Sequence, residues 1–331
     1  MSKLSIGKIR GLQQIATTDG IFSICAMDHR GSFQKMIETE QKQKVDYKGI
    51  VEYKLDLCDT LAPHSSGILL DPIYGAAQCI TAGTLPGRTG LLVSIEATGY
   101  ENQPDGRVTK LQKGWSVEKI KRMGAAAVKI LIYYRPDMKK TAIKQIETTE
   151  NVAHQCKKLD IPFLVEPVTY AIKAENAESK EYAIKKPELV IETARQITSM
   201  SIDVLKSEFP ANLHYETNRS KLLELCQRLD QASSVPWVIL SAGVDYEQFR
   251  QQVEIACQAG ASGFLGGRAI WQEAIKIRER KERIKFLKTT VAERLKELGE
   301  IAAKYGTPWY RKMNLEAQEL TTVPENWYKT Y

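Results

Sequence analysis

The chain has 331 residues, of which 43% are hydrophobic and 26% are charged, and its formal net charge at pH 7 is +7. This composition is that of an ordinary globular protein, and the sequence shows neither a low-complexity tract nor a short-period repeat. Basic residues alternate with acidic ones, as in the segment 276–285, which is typical of a solvated helix face. A nucleic-acid-binding stripe is therefore not indicated, whereas an anionic small-molecule substrate fits the charge balance.

The cysteines and histidines show no spacing that predicts a disulfide framework or a metal site. They are Cys25, Cys58, Cys79, Cys156, Cys226 and Cys257, and His29, His64, His154 and His214. The N-terminus carries charges but no apolar signal region, and no segment approaches the about 18 consecutive apolar residues of a membrane span. We therefore predict a cytoplasmic protein that needs no metal or cofactor and binds neither membranes nor nucleic acid.

Short apolar segments bounded by turn residues recur along the chain and predict eight strands. These strands are expected at 21–28, 66–71, 91–96, 126–134, 163–168, 204–209, 237–242 and 263–266. Segments with helical periodicity precede, separate or follow them, at 6–15, 45–61, 116–123, 142–159, 188–200, 219–229, 246–259 and 270–304. Residues 97–114 are expected to form a long loop, and residues 171–186 form a polar loop that we interpret as a lid or a solvated insertion.

Buried strands that alternate with helices predict a parallel sheet. Eight such units favour a closed (β/α)8 TIM barrel, of the α/β class, over an open doubly wound sheet, and no G-x-G-x-x-G segment follows the first strand. We expect one domain over residues 1–331, with the barrel at about 21–304. A helical C-terminal extension at 305–331 is expected to pack across the barrel or against a partner subunit.

Lys206 lies in the middle of the sixth predicted strand, between apolar neighbours. Desolvation disfavours the charged form of a lysine and lowers its pKa, which makes the neutral amine available for attack on a carbonyl. Considered alone, an ion pair with Glu208 or an outward position on an edge strand explains Lys206 equally well.

The alternation of strand residues places three more ionisable side chains in the lumen of the predicted barrel, namely Asp28, Lys129 and Glu166. A structural salt-bridge cluster is one interpretation of this group. We favour a catalytic one, because the chemistry of barrel enzymes collects at the C-terminal mouth.

Two glycine-containing segments end the seventh and eighth strands and predict a phosphate site. Backbone N–H groups at such strand ends bind phosphates, and an arginine adds a bidentate donor. The residues are Ser241, Ala242 and Gly243 in one segment and Gly266, Gly267 and Arg268 in the other. Tight turns selected for backbone geometry are the alternative. His29, beside Asp28 at a strand mouth, is a candidate substrate contact or a packing residue.

Together these motifs resemble the class I tagatose-1,6-bisphosphate aldolase family from about residue 21 to about residue 311. The resemblance rests on segments 26–31, 128–134, 165–170, 185–187, 203–210, 241–244 and 266–268. It implies a (β/α)8 barrel with a Schiff-base lysine at Lys206, an acid/base at Glu166, a helper lysine at Lys129 and phosphate binding at the last two strand ends. The family commonly has glutamine at the position of His29 and cysteine at that of Gly266.

The resulting prediction is a metal-independent class I aldolase, expected to be a homo-oligomer. It would cleave a phosphorylated ketose of the tagatose or fructose 1,6-bisphosphate type into dihydroxyacetone phosphate and an aldehyde such as glyceraldehyde 3-phosphate. Asp28 would orient protons or water, and His29 and Arg30 would join the groups that bind the substrate.

Three alternatives stay open at this point. The first is a 6-deoxy-6-sulfofructose-1-phosphate aldolase that yields dihydroxyacetone phosphate and sulfolactaldehyde, because relatives with that activity resemble the same motifs. The second is a barrel isomerase or decarboxylase, which shares the phosphate site but needs no nucleophilic lysine. The third is a regulatory barrel that binds a phosphorylated metabolite without catalysis.

Overall fold

The computed structural model describes residues 4–315, 323, 325–329 and 331. Eight parallel strands close into a barrel, and their order around it follows the order of the chain. They are β1 (Phe22–Met27), β2 (Gly67–Leu70), β3 (Gly90–Ser94), β6 (Ala127–Tyr133), β7 (Phe163–Val168), β8 (Val204–Ser207), β9 (Trp237–Leu240) and β10 (Gly263–Gly266). Between β3 and β6, strands β4 (Glu101–Gln103) and β5 (Gly106–Val108) form a separate antiparallel hairpin. The predicted (β/α)8 barrel is confirmed.

Helices precede the barrel, surround it and follow it. They are α1 (Ile6–Ile15), α2 (Gly31–Gln41), α3 (Tyr47–Leu61), α4 (Ala76–Thr81), α5 (Val117–Arg122), α6 (Lys139–Lys158), α7 (Lys180–Thr198), α8 (Arg219–Ala232), α9 (Tyr246–Gln258), α10 (Arg268–Trp271), α11 (Arg280–Phe286), α12 (Ala292–Tyr305) and α13 (Trp309–Lys312). Leu12 and Ile15 of α1 and Trp309 of α13 pack with the interior residues of the barrel. These two helices therefore close its N-terminal end.

The period of two along each strand decides which side chains enter the lumen. Phe22, Ile24 and Ala26 of β1 belong to the interior cluster, whereas Cys25 and Met27 pack on the helices outside. The next residue inward in this series is Asp28. The same series continues from Leu164 to Glu166 and from Val204 to Lys206, so an apolar interior gives way to charged side chains at the C-terminal mouth.

Three predicted segments differ from the structure. The expected loop at 97–114 contains the β4–β5 hairpin. The expected polar loop at 171–186 is shorter than predicted because α7 begins at Lys180. The Ser179 side chain caps this helix by accepting a hydrogen bond from Tyr182 N. Residues 171–179 are held by an ion pair between Glu175 and Arg135. The lid role of this segment stays a prediction.

The single helix expected at 270–304 is divided into α10, a 3-10 turn, α11, a π-helical turn and α12. Arg280 and Arg283 both pair with Asp56 on α3, and these tertiary contacts fix α11 on the barrel surface. Helix α2 had not been predicted. Of the expected C-terminal extension, residues 316–322, 324 and 330 lie outside the described part of the chain.

Candidate active site

Lys129 of β6 lies at the centre of a buried charge cluster in the barrel mouth. Its Nζ is 2.7 Å from Asp28 Oδ2, 2.7 Å from Glu96 Oε1 and 2.8 Å from Glu166 Oε2. The side chain of Lys129 is 1% exposed. The turn after β1, the segment after β3 and strand β7 therefore enclose one ammonium group with three carboxylates.

Lys206 of β8 reaches the same cluster through one partner. Its Nζ is 2.7 Å from Glu166 Oε1, and β7 and β8 are neighbours in the sheet. A cavity of about 150 Å³ opens beside it, lined by the side chains of Asp28, Arg30, Glu96, Lys129, Tyr133, Glu166 and Lys206 among others. Glu166 thus bridges both lysines, and all three side chains enter the lumen, as the alternation of the strands predicted.

The charged groups around Lys129 differ from those around Lys206. Burial disfavours the charged form of Lys129, but Asp28, Glu166 and Glu96 outweigh it and hold the pKa of this lysine well above its usual range. Lys129 is therefore a permanent cation and a poor nucleophile. Lys206, which has one ion-pair partner among the described residues, is the better candidate for attack on a carbonyl.

The pKa values of the carboxylates Asp28 and Glu166 are shifted downward, in the opposite direction to that of Lys129. Burial alone raises the pKa of Asp28, yet the ammonium groups of Lys129 and Lys206 hold it well below its ordinary value. Burial also raises the pKa of Glu166, and the same two lysines lower it overall. Both groups are consequently ionised at neutral pH, which is the state in which a carboxylate accepts protons.

The predicted phosphate loops lie at the ends of β9 and β10. Ala242 and Gly243 have positive φ values of 47° and 79°, and a Cβ on Gly243 would lie 2.9 Å from Arg268 Cζ. Gly267 N–H donates a hydrogen bond to Ser241 Oγ at 3.3 Å. The two segments therefore meet around the Arg268 guanidinium, in a backbone geometry that glycine permits.

Gly266 and Gly267 face different surroundings. A Cβ on Gly266 would contact Phe249 and Ile270 outside the barrel, so its backbone, rather than a side-chain position, borders the mouth. A Cβ on Gly267 would lie 3.0 Å from His29 Cε1. His29 thus packs against the predicted phosphate loop, and its ring also contacts Trp271 edge to face, with the ring centres 5.5 Å apart.

His29 and Arg30 each carry a buried nitrogen that forms no hydrogen bond with the described residues, although His29 Nδ1 lies 3.9 Å from Asp28 Oδ1. Within the described residues, His29 Nδ1 and Arg30 Nη1 make no hydrogen bond, and Arg30 Nη2 lies 4.0 Å from Glu96 Oε1. Burial lowers the pKa of His29 to about 4, although nearby Asp28 opposes this shift. The imidazole is therefore neutral at physiological pH and can donate or accept one hydrogen bond to a ligand.

Sequence reasoning missed Glu96. This residue lies just beyond the end of β3, after Ile95, and pairs with Lys129. Its position one strand end away from the predicted cluster was an available signal. Lys54 of α3 was also missed. Its Nζ donates to the carbonyl oxygens of Met27 and His29, at 2.6 and 2.8 Å, and to Asp71, so a buried ion pair supports the turn that presents Asp28.

A larger cavity, of about 590 Å³, lies at the other end of the barrel beside the Lys8–Asp203 ion pair. In barrel enzymes the chemistry collects at the C-terminal face, so the smaller, charged cavity is the candidate active site.

Within the described residues, no group of three or more His, Cys, Asp or Glu side chains is arranged to hold a metal ion. No described helix is long and apolar enough to cross a membrane.

Comparison with known proteins decides the family. A model described as the DeoC/LacD family aldolase matches residues 22–273. The chain belongs to the DeoC/LacD aldolase family. Within this family it is 33% identical to tagatose 1,6-diphosphate aldolase 2 of Enterococcus faecalis, over 95% of this chain and 99% of that one. It is 32% identical to a tagatose 1,6-diphosphate aldolase of Listeria monocytogenes, over 94% and 96% of the two chains.

Solved structures of aldolases share the barrel fold of this chain. A Schiff-base-forming fructose-1,6-bisphosphate aldolase superposes with a TM-score of 0.57 at 22% identity, covering 85% of this chain and 97% of that one. The fructose-bisphosphate aldolase of Plasmodium falciparum superposes with a TM-score of 0.71 at 15% identity, covering 92% and 97%. The resemblance and the enzyme class predicted from the sequence are confirmed by the family match.

Proposed function

We propose that this family member is a class I aldolase that cleaves a ketose 1,6-bisphosphate of the tagatose or fructose type into dihydroxyacetone phosphate and glyceraldehyde 3-phosphate. One observation carries the proposal. Two lysines share Glu166 in a buried mouth, and one of them, Lys129, is held as a cation by three carboxylates, which leaves Lys206 as the nucleophile. The names of the relatives supply the substrate class.

In the proposed reaction, Glu166 acts as the proton acceptor at two steps. It first takes a proton from the Lys206 ammonium, 2.7 Å away, so that the neutral amine adds to the C2 carbonyl of the ketose. Glu166 returns this proton to the hydroxyl of the resulting carbinolamine, so that water leaves and a protonated Schiff base remains. Glu166, once free of that proton, then removes the proton of the C4 hydroxyl, and the electrons of the C3–C4 bond move to the iminium as the aldehyde leaves.

Lys129 and Asp28 have supporting roles in this proposal. Lys129 holds Glu166 and Asp28 by ion pairs of 2.8 and 2.7 Å and so fixes both carboxylates beside Lys206. Asp28 then orients protons or the attacking water when the enamine is protonated and the Schiff base is hydrolysed.

The C1 phosphate is assigned to the loops after β9 and β10. Ser241, Gly243, Gly267 and Arg268 surround one point beside the mouth, with Ala242 and the backbone of Gly266 completing the loops. A phosphate held there fixes the carbonyl over the lysine and so replaces a bimolecular encounter by an oriented one.

Four further predictions, on localisation, assembly, domain organisation and ligand class, accompany this proposal. The protein is expected to be cytoplasmic, to form a homo-oligomer, to fold as one domain over residues 1–331 and to act on small molecules rather than nucleic acid. The six cysteines are unpaired and buried, which supports the first of these.

Borohydride trapping tests the proposal. Reduction in the presence of dihydroxyacetone phosphate and EDTA should add one triose phosphate to the peptide that contains Lys206, and Lys206→Met should abolish both the adduct and the release of triose. Cleavage without any adduct, or activity that EDTA abolishes, would refute the class I mechanism. Binding of the phosphorylated sugar without cleavage would favour the regulatory barrel, and isomerisation or decarboxylation without an adduct would favour the other enzyme classes.

A further inference from the structure

Arg107 on the β4–β5 hairpin presents a guanidinium without an anionic partner at the barrel mouth. Its Cζ lies 4.4 Å from the ring centre of Tyr100, 4.8 Å from that of Tyr170 and 5.9 Å from that of Tyr133. Within the described part of the chain, its guanidinium forms no ion pair and no hydrogen bond. Aromatic faces stabilise such a cation by their quadrupoles but leave the N–H edges of the guanidinium available.

The position of this arginine relative to the phosphate loops follows from the order of the strands. In a closed ring of eight, β3 lies opposite β9 and β6 lies opposite β10. The hairpin that carries Arg107 follows β3, and Tyr133 is the last residue of β6. Arg107 therefore lies across the mouth from the loops that hold Arg268, and Tyr133, which also lines the cavity, lies between Arg107 and the charge cluster.

The hairpin is fixed in place by its own contacts. Arg107 N–H donates to the Tyr170 hydroxyl at 3.1 Å, and Gln145 Nε2 donates to the carbonyl oxygens of Arg107 and Tyr133, at 3.4 and 2.9 Å. A Cβ on Gly106 would collide with the Tyr170 hydroxyl, so only glycine allows this approach. A group held in this way loses little conformational freedom when a ligand binds.

We propose that Arg107 binds the second tetrahedral oxyanion of the substrate, a phosphate or a sulfonate carried on C6 of the ketose. The inference rests on the proposed function, and it names the group that recognises the far end of the substrate. Guanidinium N–H pairs match two oxygens of such an anion. Tyr133, whose pKa is raised mainly by burial, stays protonated and supplies a hydroxyl donor beside Arg107.

The path of the substrate supports this assignment. With the C1 phosphate at β9 and β10, the C2 carbonyl lies at Lys206 on β8 and the C4 hydroxyl at Glu166 on β7. The next strand in the ring is β6, whose end carries Tyr133. The order of the carbon atoms therefore matches the order of the strands, and the remaining end of the molecule points toward Arg107.

The test measures kcat/KM for three substrates with wild type and Arg107→Leu. They are a ketose 1,6-bisphosphate, a 6-deoxy-6-sulfoketose 1-phosphate and a ketose 1-phosphate that is uncharged at C6. We expect Arg107→Leu to lower kcat/KM for whichever C6-charged substrate the wild type prefers by about 10–100-fold, which corresponds to one lost charge-assisted contact. The ketose 1-phosphate should be affected by less than about threefold on the same reasoning. The preference of the wild type distinguishes phosphate from sulfonate.

Two controls complete the experiment. Arg294→Leu removes another guanidinium stacked on a tyrosine, at 4.8 Å from the Tyr246 ring, on α12 outside the barrel, and should leave all three kcat/KM values unchanged. The dihydroxyacetone phosphate adduct, which has no C6 group, should form normally in Arg107→Leu. Equal losses for all three substrates with the adduct retained would show that Arg107 only anchors the hairpin and would overturn the inference. If wild type forms no adduct, the proposed function fails and this inference fails with it.

Discussion

Glu166 Oε1 lies 2.7 Å from Lys206 Nζ, so the proposed base and the proposed nucleophile are in direct contact before any substrate binds. Its other oxygen is held by Lys129 at 2.8 Å. A proton that leaves the Lys206 ammonium therefore has an acceptor in place. Because the carboxylate is fixed at both oxygens, it needs little reorganisation to serve the substrate afterwards.

Glu166→Gln tests this dual role, since an amide keeps the shape of the side chain but accepts no proton. We expect turnover to fall by about 10²–10⁴-fold, whereas dihydroxyacetone phosphate should still be trapped by borohydride, at a lower rate. Glu297→Gln on α12 is the matched control and should behave as wild type. Normal turnover of Glu166→Gln would show that this residue is only a partner in a charge cluster.

Lys129→Met should destabilise the fold more than Lys206→Met does. The first change leaves three buried carboxylates without their shared cation, and removal of one partner from a buried ion pair typically costs about 3–5 kcal/mol. Urea unfolding of both variants at neutral pH measures the difference. Triose adducts should still map to Lys206 in Lys129→Met. An adduct on Lys129 in the Lys206→Met variant would reverse the roles assigned to the two lysines.

His29 should make the fold sensitive to mild acid. Burial lowers its pKa from 6.5 to about 4, so between these pH values the unfolded chain takes up a proton that the folded protein does not. Stability therefore decreases as the pH falls through this range, by up to about 1.4 kcal/mol per pH unit. His29→Gln removes the titrating imidazole and with it this dependence of stability on pH.

Urea unfolding at about pH 7 and about pH 4.5 measures this effect. The loss of stability between the two pH values should be smaller in His29→Gln than in wild type, by roughly 2–3 kcal/mol at most. The depressed pKa values of Asp28 and Glu166 act at lower pH, where their stabilising charge is lost, and both proteins share that effect. Identical losses in the two proteins would contradict the burial of a neutral imidazole.

Arg268→Ala should weaken substrate binding without unfolding the barrel. The guanidinium lies against Gly243, and the loss of one charge-assisted contact to a phosphate costs about 1.5–3 kcal/mol. Affinity for the phosphorylated ketose should therefore fall by about 10–100-fold. Isothermal titration with dihydroxyacetone phosphate provides the measurement, and an unchanged dissociation constant would place the C1 phosphate elsewhere.

The periodicity of the sequence determined the barrel and predicted most of the candidate site. A strand buried on both faces is visible as an apolar segment, and a charge at every second position from its apolar interior residues must enter the lumen. Asp28, Lys129, Glu166 and Lys206 were found in this way. The glycines before Arg268 predicted phosphate loops for a similar local reason, because close approach of a backbone requires them.

Only the tertiary structure decided how these groups pair. Lys129 pairs with Glu96, 33 residues away in the sequence, and with Asp28, 101 residues away. No local sequence pattern indicates which carboxylate pairs with a given amine. The β4–β5 hairpin was equally hidden, since its strands are three residues long and its place depends on Tyr170. Local periodicity fixes the direction of a side chain, whereas its charge state and its partner depend on groups that the closure of the barrel brings together.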